Sequence, residues 1–373
     1  MIYYGTFLIS GFWCWIAEIL FKKKDQALGI VISAFSILVL TWLCGVRDFS
    51  IGTDIRVYGY NSFNIAANSL NLQQYLNSLN SIYGGSGNTE YGYLALNYII
   101  SRFTSNAHIF LFVLGLIINS VIFIAIYLFK DQISITLSWL TYCFLFFGTT
   151  LNLLRQSVAL AFVLLGIALL YKKKNKKSLI SFIIAVLFHT STIFAFLIYV
   201  FGLLVNRAKS KRALRGVFVF STLLILSVPM VITILNQRGL LIDKYYQYVL
   251  NDNSVGILTI LIRVPMLLLI IYVVLRKRFC LNRERLWIYF LVIQEFLMLP
   301  LQSIGTTVAR LMLFFGVAKI IAYPMLLENI ESKDRVTNYL LKLGYLIFIM
   351  LIFYEQVIVS GNNQIYPFVF AIN

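Results

Sequence analysis

Charged residues are scarce in this chain, and acidic residues are the scarcest among them. Only 12% of the 373 residues are charged, and only 14 residues are Asp or Glu. A soluble protein has about 25% charged and roughly 45–50% apolar residues, whereas 60% of this chain is hydrophobic. The polar side chains are too few to cover a surface that faces water, which excludes a soluble globular protein.

Proline and recognisable cofactor motifs are also rare or missing. Five prolines and an aromatic content of 16% exclude a fibrous or disordered chain. The four cysteines show no Cys-x-x-Cys spacing, so we expect neither a disulfide framework nor a metal site. The sequence contains no Walker motif, Rossmann fingerprint or metal-ligand cluster, and we therefore expect no cofactor.

Long apolar runs dominate the remaining sequence. A membrane-spanning helix takes about 20 apolar residues, so the runs predict an all-α polytopic membrane protein in which residues 1–373 form a single transmembrane domain. Counting a broken or re-entrant helix pair, we expect about 11–12 transmembrane segments. Single spans are predicted near residues 3–20, 28–45, 106–129, 133–149, 152–171, 216–236, 257–275, 287–301, 307–327 and 339–357.

The basic residues predict the topology, because cytoplasmic loops of membrane proteins collect Lys and Arg. We therefore assign the net charge of +17 to membrane topology and not to nucleic acid. Basic runs at 172–177, 206–215 and 276–285 are predicted to be cytoplasmic, which places both termini and loop 46–105 outside. Within that loop, residues near 91–103 are too short to cross and predict an interfacial amphipathic helix. A shorter external loop is expected at 238–256.

Segment 178–204 lies between two basic runs but holds only 27 residues. Two full spans need about 40 residues, so this segment predicts two short helices that meet at the polar residues 189–192. Such a break is tolerated at membrane depth where protein or a wet cavity surrounds it. One ordinary span, with 206–215 outside, is the alternative.

Ionisable and amide side chains on the predicted outer side form the candidate site. Charges at membrane depth are costly and by default mark a functional site. Arginine forks suit phosphate and pyrophosphate oxygens, so a basic cavity open to bilayer and exterior fits a lipid-linked phosphate donor. The candidate residues are Arg47, Asp54, Glu90, Asn152, Arg155, Gln156, His189 and Arg310.

Each candidate also has a simpler structural explanation. Glu90 can be a carboxylate favoured at a helix N-terminus, Arg310 can form an internal ion pair, and a lone His189 can be structural. Arg155 can extend to lipid headgroups, although this does not explain its polar neighbours. Asn152 and Arg155 are three residues apart, which predicts that they share a helical face.

At these residues the sequence resembles the EpsG-like, Wzy-type polysaccharide polymerases. The matching motifs are R-D-x-x-I-G-T-D-x-x-x-Y at Arg47–Tyr58, E-Y-G-Y at Glu90–Tyr93, N-L-L-R-Q-S-V-A at Asn152–Ala159, F-H-T-S at Phe188–Ser191, and Arg310 followed by Phe314 and Phe315. The resemblance implies a GT-C-like architecture. It also implies a multi-pass enzyme of the cytoplasmic (inner) membrane that polymerises undecaprenyl-pyrophosphate-linked oligosaccharide repeat units on the external, periplasmic side.

This resemblance implies an O-antigen, capsule or exopolysaccharide polymerase. Its expected partners are the lipid-linked donor and acceptor glycans and the membrane lipids, with a chain-length regulator as a further candidate and no nucleic acid. An O-antigen ligase, another GT-C lipid-linked glycosyltransferase, and a flippase or transporter are the alternatives. Flippases typically show pseudo-symmetric halves, and this chain shows no internal repeat.

The implied chemistry assigns a role to each residue type. A sugar hydroxyl attacks an anomeric carbon and undecaprenyl pyrophosphate leaves, so the enzyme is expected to be metal-independent and inverting. Arg155 and Arg310, with Arg47 behind them, are expected to stabilise the pyrophosphate. Asn152 and Gln156 are expected to bind substrate beside them. His189 is the first candidate for the base because histidine titrates near neutral pH; Asp54 and Glu90 are its rivals.

Overall fold

A computed structural model describes residues 2–83, 90–238, 257–276, 281–300, 306–330 and 334–371 of the chain. The structure is 84% helical, and no β-strand forms within those ranges. In chain order the helices are α1 (Ile2–Lys22), α2 (Gln26–Val46), α3 (Tyr60–Asn68), α4 (Leu72–Tyr83), α5 (Tyr91–Ser101), α6 (Ala107–Tyr127), α7 (Ile135–Leu145), α8 (Phe147–Asn152), α9 (Leu154–Tyr171), α10 (Asn175–Phe188), α11 (Phe196–Arg207), α12 (Lys211–Gln237), α13 (Ile257–Leu261), α14 (Val264–Arg276), α15 (Arg283–Leu297), α16 (Thr306–Gly316), α17 (Lys319–Ile330) and α18 (Arg335–Phe353).

Helices long and apolar enough to cross a membrane recur along the chain. Within the described ranges there are seven such segments, or up to eight if a bent pair counts as one span. The bent pair is Ala309–Gly316 with Lys319–Ile330, at an angle of 43°. The prediction of an all-α polytopic membrane protein is therefore confirmed. The count of 11–12 segments includes shorter helices such as α7 and stays a prediction, as does the GT-C-like architecture.

The helical break expected near His189 is confirmed. Helix α10 ends at Phe188, and a 3-10 helix runs from Thr190 to Ala195 before α11 begins. The hydroxyl groups of Ser191 and Thr192 in this 3-10 helix are buried and have no hydrogen-bond partner among the described residues. The re-entrant path of 178–204 through the membrane stays a prediction.

Backbone contacts divide the chain into two compact units. The first unit comprises Met1–Leu165, Ile183–Thr190 and Glu331–Asn373. The second comprises Gly166–Phe182 and Ser191–Ile330. The single transmembrane domain expected from the sequence stays a prediction.

Polar side chains join the spans of the first unit in its buried interior. Ser10 on α1 and Ser36 on α2 each donate a hydroxyl to the other's carbonyl oxygen, at 2.7 Å in both directions. The Asn119 amide on α6 donates to the Thr41 hydroxyl at 3.1 Å and accepts from the Tyr142 hydroxyl at 2.6 Å. These bonds satisfy groups that would otherwise be costly to bury, and they fix the helices that support the site.

The segment after α18 returns to the loop that follows α2. The Asp48 amide donates to the Val369 carbonyl at 2.9 Å, and the Ala371 amide donates to the Val46 carbonyl at 2.9 Å. At the start of α1, the Tyr3 hydroxyl donates to a carbonyl of the same returning segment at 2.6 Å. Residues near both ends of the chain therefore lie beside the loop that carries Arg47. Which side of the membrane this is stays a prediction.

The predicted external loop 46–105 contains three helices, α3, α4 and α5. Their shared core consists of Ala66, Tyr75, Leu79 and Leu94. Helix α5 occupies the stretch near 91–103 for which the sequence predicts an amphipathic helix, and its place in the membrane interface stays a prediction. Helices α3 and α4 were not foreseen, although the apolar residues of α4 recur at the three- and four-residue spacing of an amphipathic helix.

The second unit contains helices α11–α17 and parts of α9 and α10. Phe218 on α12 and Phe290 on α15 stack with ring centroids 4.6 Å apart, and the Gln294 amide donates to the Thr222 hydroxyl at 2.8 Å. Asn282 accepts from the Arg285 amide at 3.0 Å and thereby caps α15. Residues 239–256 of the shorter external loop and 277–280 of the third basic run lie outside the described residues.

Candidate functional site

The loop after α2 lies directly against the end of α8. Gly52 has φ +89°, and a Cβ there would lie 2.5 Å from the Leu151 carbonyl oxygen. Only glycine fits that conformation and that approach. The Asn152 amide oxygen accepts from both the amide and the hydroxyl of Thr53, at 2.7 and 2.6 Å. In this structure Asn152 therefore fixes the position of the loop.

A helical break separates Asn152 from Arg155. Leu153 has φ −102° and ψ 84°, which ends α8, and α9 begins at Leu154. The prediction that Asn152 and Arg155 share a helical face is therefore wrong. The Asp54 carboxylate accepts from the Leu154 amide at 3.0 Å and from the Tyr58 hydroxyl. It thus satisfies one of the amides that the start of α9 leaves without a helical partner.

Arg155 lies in the first turn of α9 and has two close partners. Its guanidinium forms an ion pair with the Glu90 carboxylate, and its Cζ atom lies 4.0 Å from the ring centroid of Tyr58. The side chain is 19% exposed. An arginine held by a carboxylate and an aromatic face is oriented within the protein, so extension to lipid headgroups alone does not explain it.

Glu90 connects Arg155 with His189. It occupies the N-cap position of α5, but its side chain makes no capping hydrogen bond. Its Oε1 atom lies 2.7 Å from Nδ1 of His189. Helix α5 can approach the end of α10 this closely because residue 92 is glycine: a Cβ there would lie 2.9 Å from the Leu187 carbonyl oxygen.

The second ring nitrogen of His189 is buried and has no hydrogen-bond partner among the described residues. A carboxylate accepts only from a protonated nitrogen, so Glu90 favours the tautomer with the proton on Nδ1. Nε2 then carries a lone pair and can accept a proton. Histidine bases in enzymes are held by a carboxylate in the same manner.

Arg47 and Gln156 are buried beside this cluster. Arg47 is 1% exposed and donates to the Leu151 carbonyl oxygen, and its Nε atom has no hydrogen-bond partner within the described ranges. Burial lowers the pKa of the Arg47 guanidinium, although arginine stays protonated in proteins. Hydrogen bonds from Ser50 lower the pKa of the neighbouring Asp48 carboxyl.

Arg310 belongs to the second unit, on α16, where its side chain is half-buried. Glu295 of that unit accepts from the Arg263 guanidinium at 3.1 Å and from the Lys319 ammonium at 2.8 Å. The charge of the buried Glu295 carboxylate is therefore compensated by two neighbouring cations. That Arg310 acts together with the residues of the first unit stays a proposal.

Two residues that build the site were not named as candidate site residues. Thr53 and Tyr58 make the contacts described above, and both lie in the Arg47–Tyr58 motif. Tyr58 lies four residues after Asp54, one helical turn away in the π-helix Ile55–Gly59, so the D-x-x-x-Y spacing contained that signal. Thr53 has no such signal, because its partner is 99 residues away.

In the buried cluster of Glu90, Arg155 and His189, with Asp54 and Tyr58 beside it, Nε2 of His189 can therefore accept a proton. Combined with the apolar spans, these groups define a multi-pass membrane protein with a buried cluster of ionisable side chains. The sequence matches the EpsG family over residues 30–370, and the chain belongs to that family. No curated protein and no solved structure is significantly similar to it. The family is one of membrane proteins of polysaccharide biosynthesis.

Proposed function

We propose that this protein joins undecaprenyl-pyrophosphate-linked oligosaccharide repeat units on the external side of the cytoplasmic membrane. A sugar hydroxyl of one lipid-linked glycan attacks the anomeric carbon of another, the new glycosidic bond forms, and undecaprenyl pyrophosphate leaves. The bond to pyrophosphate supplies the activation, so the protein provides orientation, a base and charge stabilisation. A direct attack of this kind inverts the anomeric centre.

The observation that carries this proposal is the free Nε2 of His189, whose Nδ1 faces Glu90 at 2.7 Å. We assign His189 as the base that takes the proton of the attacking hydroxyl. Glu90 orients the imidazole and stabilises the imidazolium that forms. Because Nε2 is buried, the acceptor sugar must displace the side chains that cover it, which keeps water away from the activated donor.

Asp54 is a weaker candidate for the base in this arrangement. Its carboxylate already accepts from the Leu154 amide and the Tyr58 hydroxyl. Taking a proton would weaken both bonds and the start of α9. We therefore assign Asp54 to the positioning of Arg155 and Tyr58.

The departing pyrophosphate is assigned to Arg155, with Arg310 and Arg47 as further cations. A guanidinium has five N–H donors, so contact with Glu90 does not exhaust its capacity for oxygen ligands. The N-terminus of α9 adds partial positive charge at the same place. Gln156 follows Arg155 on α9, and Asn152 holds the loop that carries Arg47, so we assign both amides to substrate binding beside the pyrophosphate.

Turnover by the purified protein in detergent tests the proposal. With lipid-linked repeat units as the only substrate, we expect products that carry two or more repeats. His189→Ala should abolish them, whereas His108→Ala, which removes a histidine bound to the Gly45 carbonyl oxygen at 3.0 Å, should not. Products that appear only with a different acceptor would indicate a ligase. Transport without any new glycosidic bond would indicate a flippase.

A further inference from the structure

The hairpin of α3 and α4 carries no charged side chain. Between Val57 and Tyr83 the sequence has no Asp, Glu, Lys or Arg, although it has six Asn, two Gln and four Ser. Its polarity comes from neutral amides and hydroxyls. Charged residues occur again on both sides of this stretch, at Asp54 and Arg56 before it and at Glu90 after it.

An open groove of about 490 Å³ lies between the two helices. Helix α3 contributes Asn61, Asn64 and Asn68, which recur at helical spacing, and α4 contributes Gln74 and Ser78 one turn apart. Two isoleucines add apolar surface. Sites for small molecules commonly have volumes of roughly 300–1,000 Å³, so the groove can hold a short piece of a larger chain.

Two amides in this groove are available for a ligand. The side chains of Asn61 and Asn64 have no hydrogen-bond partner in the part of the chain that the structure describes. The neighbouring amides, in contrast, bind the backbone: Asn68 donates to the Asn64 carbonyl at 3.0 Å, and Gln74 accepts from the Leu70 amide at 2.8 Å. The groove therefore has one half whose amides bind the backbone and another half whose amides do not.

The groove is preformed because contacts on the side away from the groove fix the positions of α3 and α4. Arg102 donates to the carbonyl oxygens of Ser69, at 2.9 Å, and Ala66, and its Cζ lies 4.6 Å from the Tyr98 ring centroid. Below α4, the Tyr75 hydroxyl lies 3.1 Å from the Ser62 hydroxyl. A preformed site loses little conformational entropy when it binds a ligand.

The groove is next to the candidate site in the chain and in the fold. Helix α3 follows the π-helix that carries Tyr58, and α5 begins directly after Glu90. Tyr58, which contacts Arg155, thus lies two residues before the start of α3, and Glu90 follows the end of α4 by seven residues in the sequence.

From these observations we infer that the groove binds uncharged sugar residues of the lipid-linked glycan, an inference that rests on the proposed function. A side-chain amide offers both donors and an acceptor, which suits the paired hydroxyl groups of a sugar. The groove has no cation to attract phosphate or acidic sugars. Recognition is therefore divided: the hairpin binds sugar, and Arg155 binds pyrophosphate.

The test uses full-length protein in detergent and oligosaccharides released from the host's own surface polysaccharide, free of lipid and pyrophosphate. We expect saturable binding in titration calorimetry. The double variant Asn61→Ala/Asn64→Ala should weaken it about tenfold or more, since two hydrogen bonds are lost. Asn80→Ala removes an exposed α4 amide that does not line the groove and should leave binding unchanged. Oligosaccharides made only of uronic acids should bind at least tenfold more weakly than the host oligosaccharides.

Absence of binding to the native protein, or equal binding by the double variant, would overturn the inference. So would an equal loss with Asn80→Ala, or tighter binding of the uronic acids. His189→Ala separates the inference from the proposed function, because it should bind the oligosaccharide normally while its turnover is lost. Oligosaccharide binding without turnover by the native protein would refute the proposed function and leave the groove as a sugar site. Turnover without oligosaccharide binding would refute the groove as a sugar site and leave the proposed function intact.

Discussion

Replacement of Glu90 by glutamine is the sharpest test of the site. The carboxylate faces two donors, the guanidinium of Arg155 and Nδ1–H of His189. A glutamine amide has one acceptor oxygen and one NH₂ group, and arginine can only donate. The glutamine oxygen therefore accepts from Arg155, and the glutamine NH₂ group faces Nδ1 of His189. The imidazole proton must then move to Nε2, the atom that would take the proton of the sugar hydroxyl.

The size of the effect follows from this change of tautomer. The corresponding carboxylate-to-amide change beside the histidine of serine proteases lowers kcat about 10⁴-fold. Since Glu90 and His189 stand in the same relation, we expect Glu90→Gln to lower turnover by about 10³–10⁴-fold. At about 1.36 kcal/mol per tenfold, this raises the activation free energy by roughly 4–5.5 kcal/mol.

The assay is turnover of lipid-linked repeat units by purified protein, with the melting temperature measured in the same detergent. Glu355→Gln is the matched control: this carboxylate accepts from the Ser360 hydroxyl at 2.8 Å and has no part in the proposed chemistry. A Glu90→Gln protein with native melting temperature and turnover within tenfold of native would refute the tautomer argument. A melting temperature far below that of the control would attribute the loss to folding.

Four further predictions follow from the same geometry. Arg155→Lys and Arg310→Lys should each abolish most of the polymer at unchanged protein level, because lysine cannot form the bidentate fork; normal ladders on a glycan gel would show that a point charge suffices. His189→Gln should be as inactive as His189→Ala, about 10²–10⁴-fold below native, measured as turnover of lipid-linked repeat units; a glutamine variant that keeps much of the native rate would show that His189 is structural. Asp54→Asn should retain most activity because asparagine can still accept from the amide at the start of α9. Asp54→Ala should lower the free energy of unfolding by about 0.5–2 kcal/mol, measured by thermal denaturation. An inactive but stable Asp54→Asn protein would indicate that Asp54 is the base. Ser210→Cys, in a chain without native cysteines, should resist a membrane-impermeant thiol reagent in intact cells, and strong labelling would place 206–215 outside.

The membrane helices could be read from the sequence because the bilayer imposes a single strong requirement. An apolar run of about 20 residues has few alternatives to a helix, and the predicted spans at 3–20, 28–45 and 152–171 correspond to α1, α2 and α9. The break at His189 could be predicted for a related reason. Segment 178–204 is too short for two full spans, and its polar residues mark the place where the helix stops.

The geometry of the site could not be predicted in the same way. Glu90 and His189 are 99 residues apart, and their contact depends on the close approach that Gly92 permits, for which a single sequence has no signal. The candidate residues were chosen because charges are costly in a membrane, and the structure brings three of them, Glu90, Arg155 and His189, into contact. The break at Leu153 could not be predicted either, because no proline or glycine lies between Thr149 and Arg155. Helical spacing therefore predicted that Asn152 and Arg155 share one face of a helix, but the backbone between them is not helical.

The returning segment that pairs with the loop after α2 has a consequence for the timing of biosynthesis. Residues 364–371 leave the ribosome after every candidate span, yet they supply the backbone partners of Val46, Asp48 and Gly52. The loop that carries Arg47 can therefore form these backbone hydrogen bonds only after residues 364–371 have been translated. A ribosome that stalls before residue 364 would leave a chain with all its spans but with this loop unfastened. In such a chain Val46, Asp48 and Gly52 would lack these backbone partners, so the position of Arg47 would be less well defined.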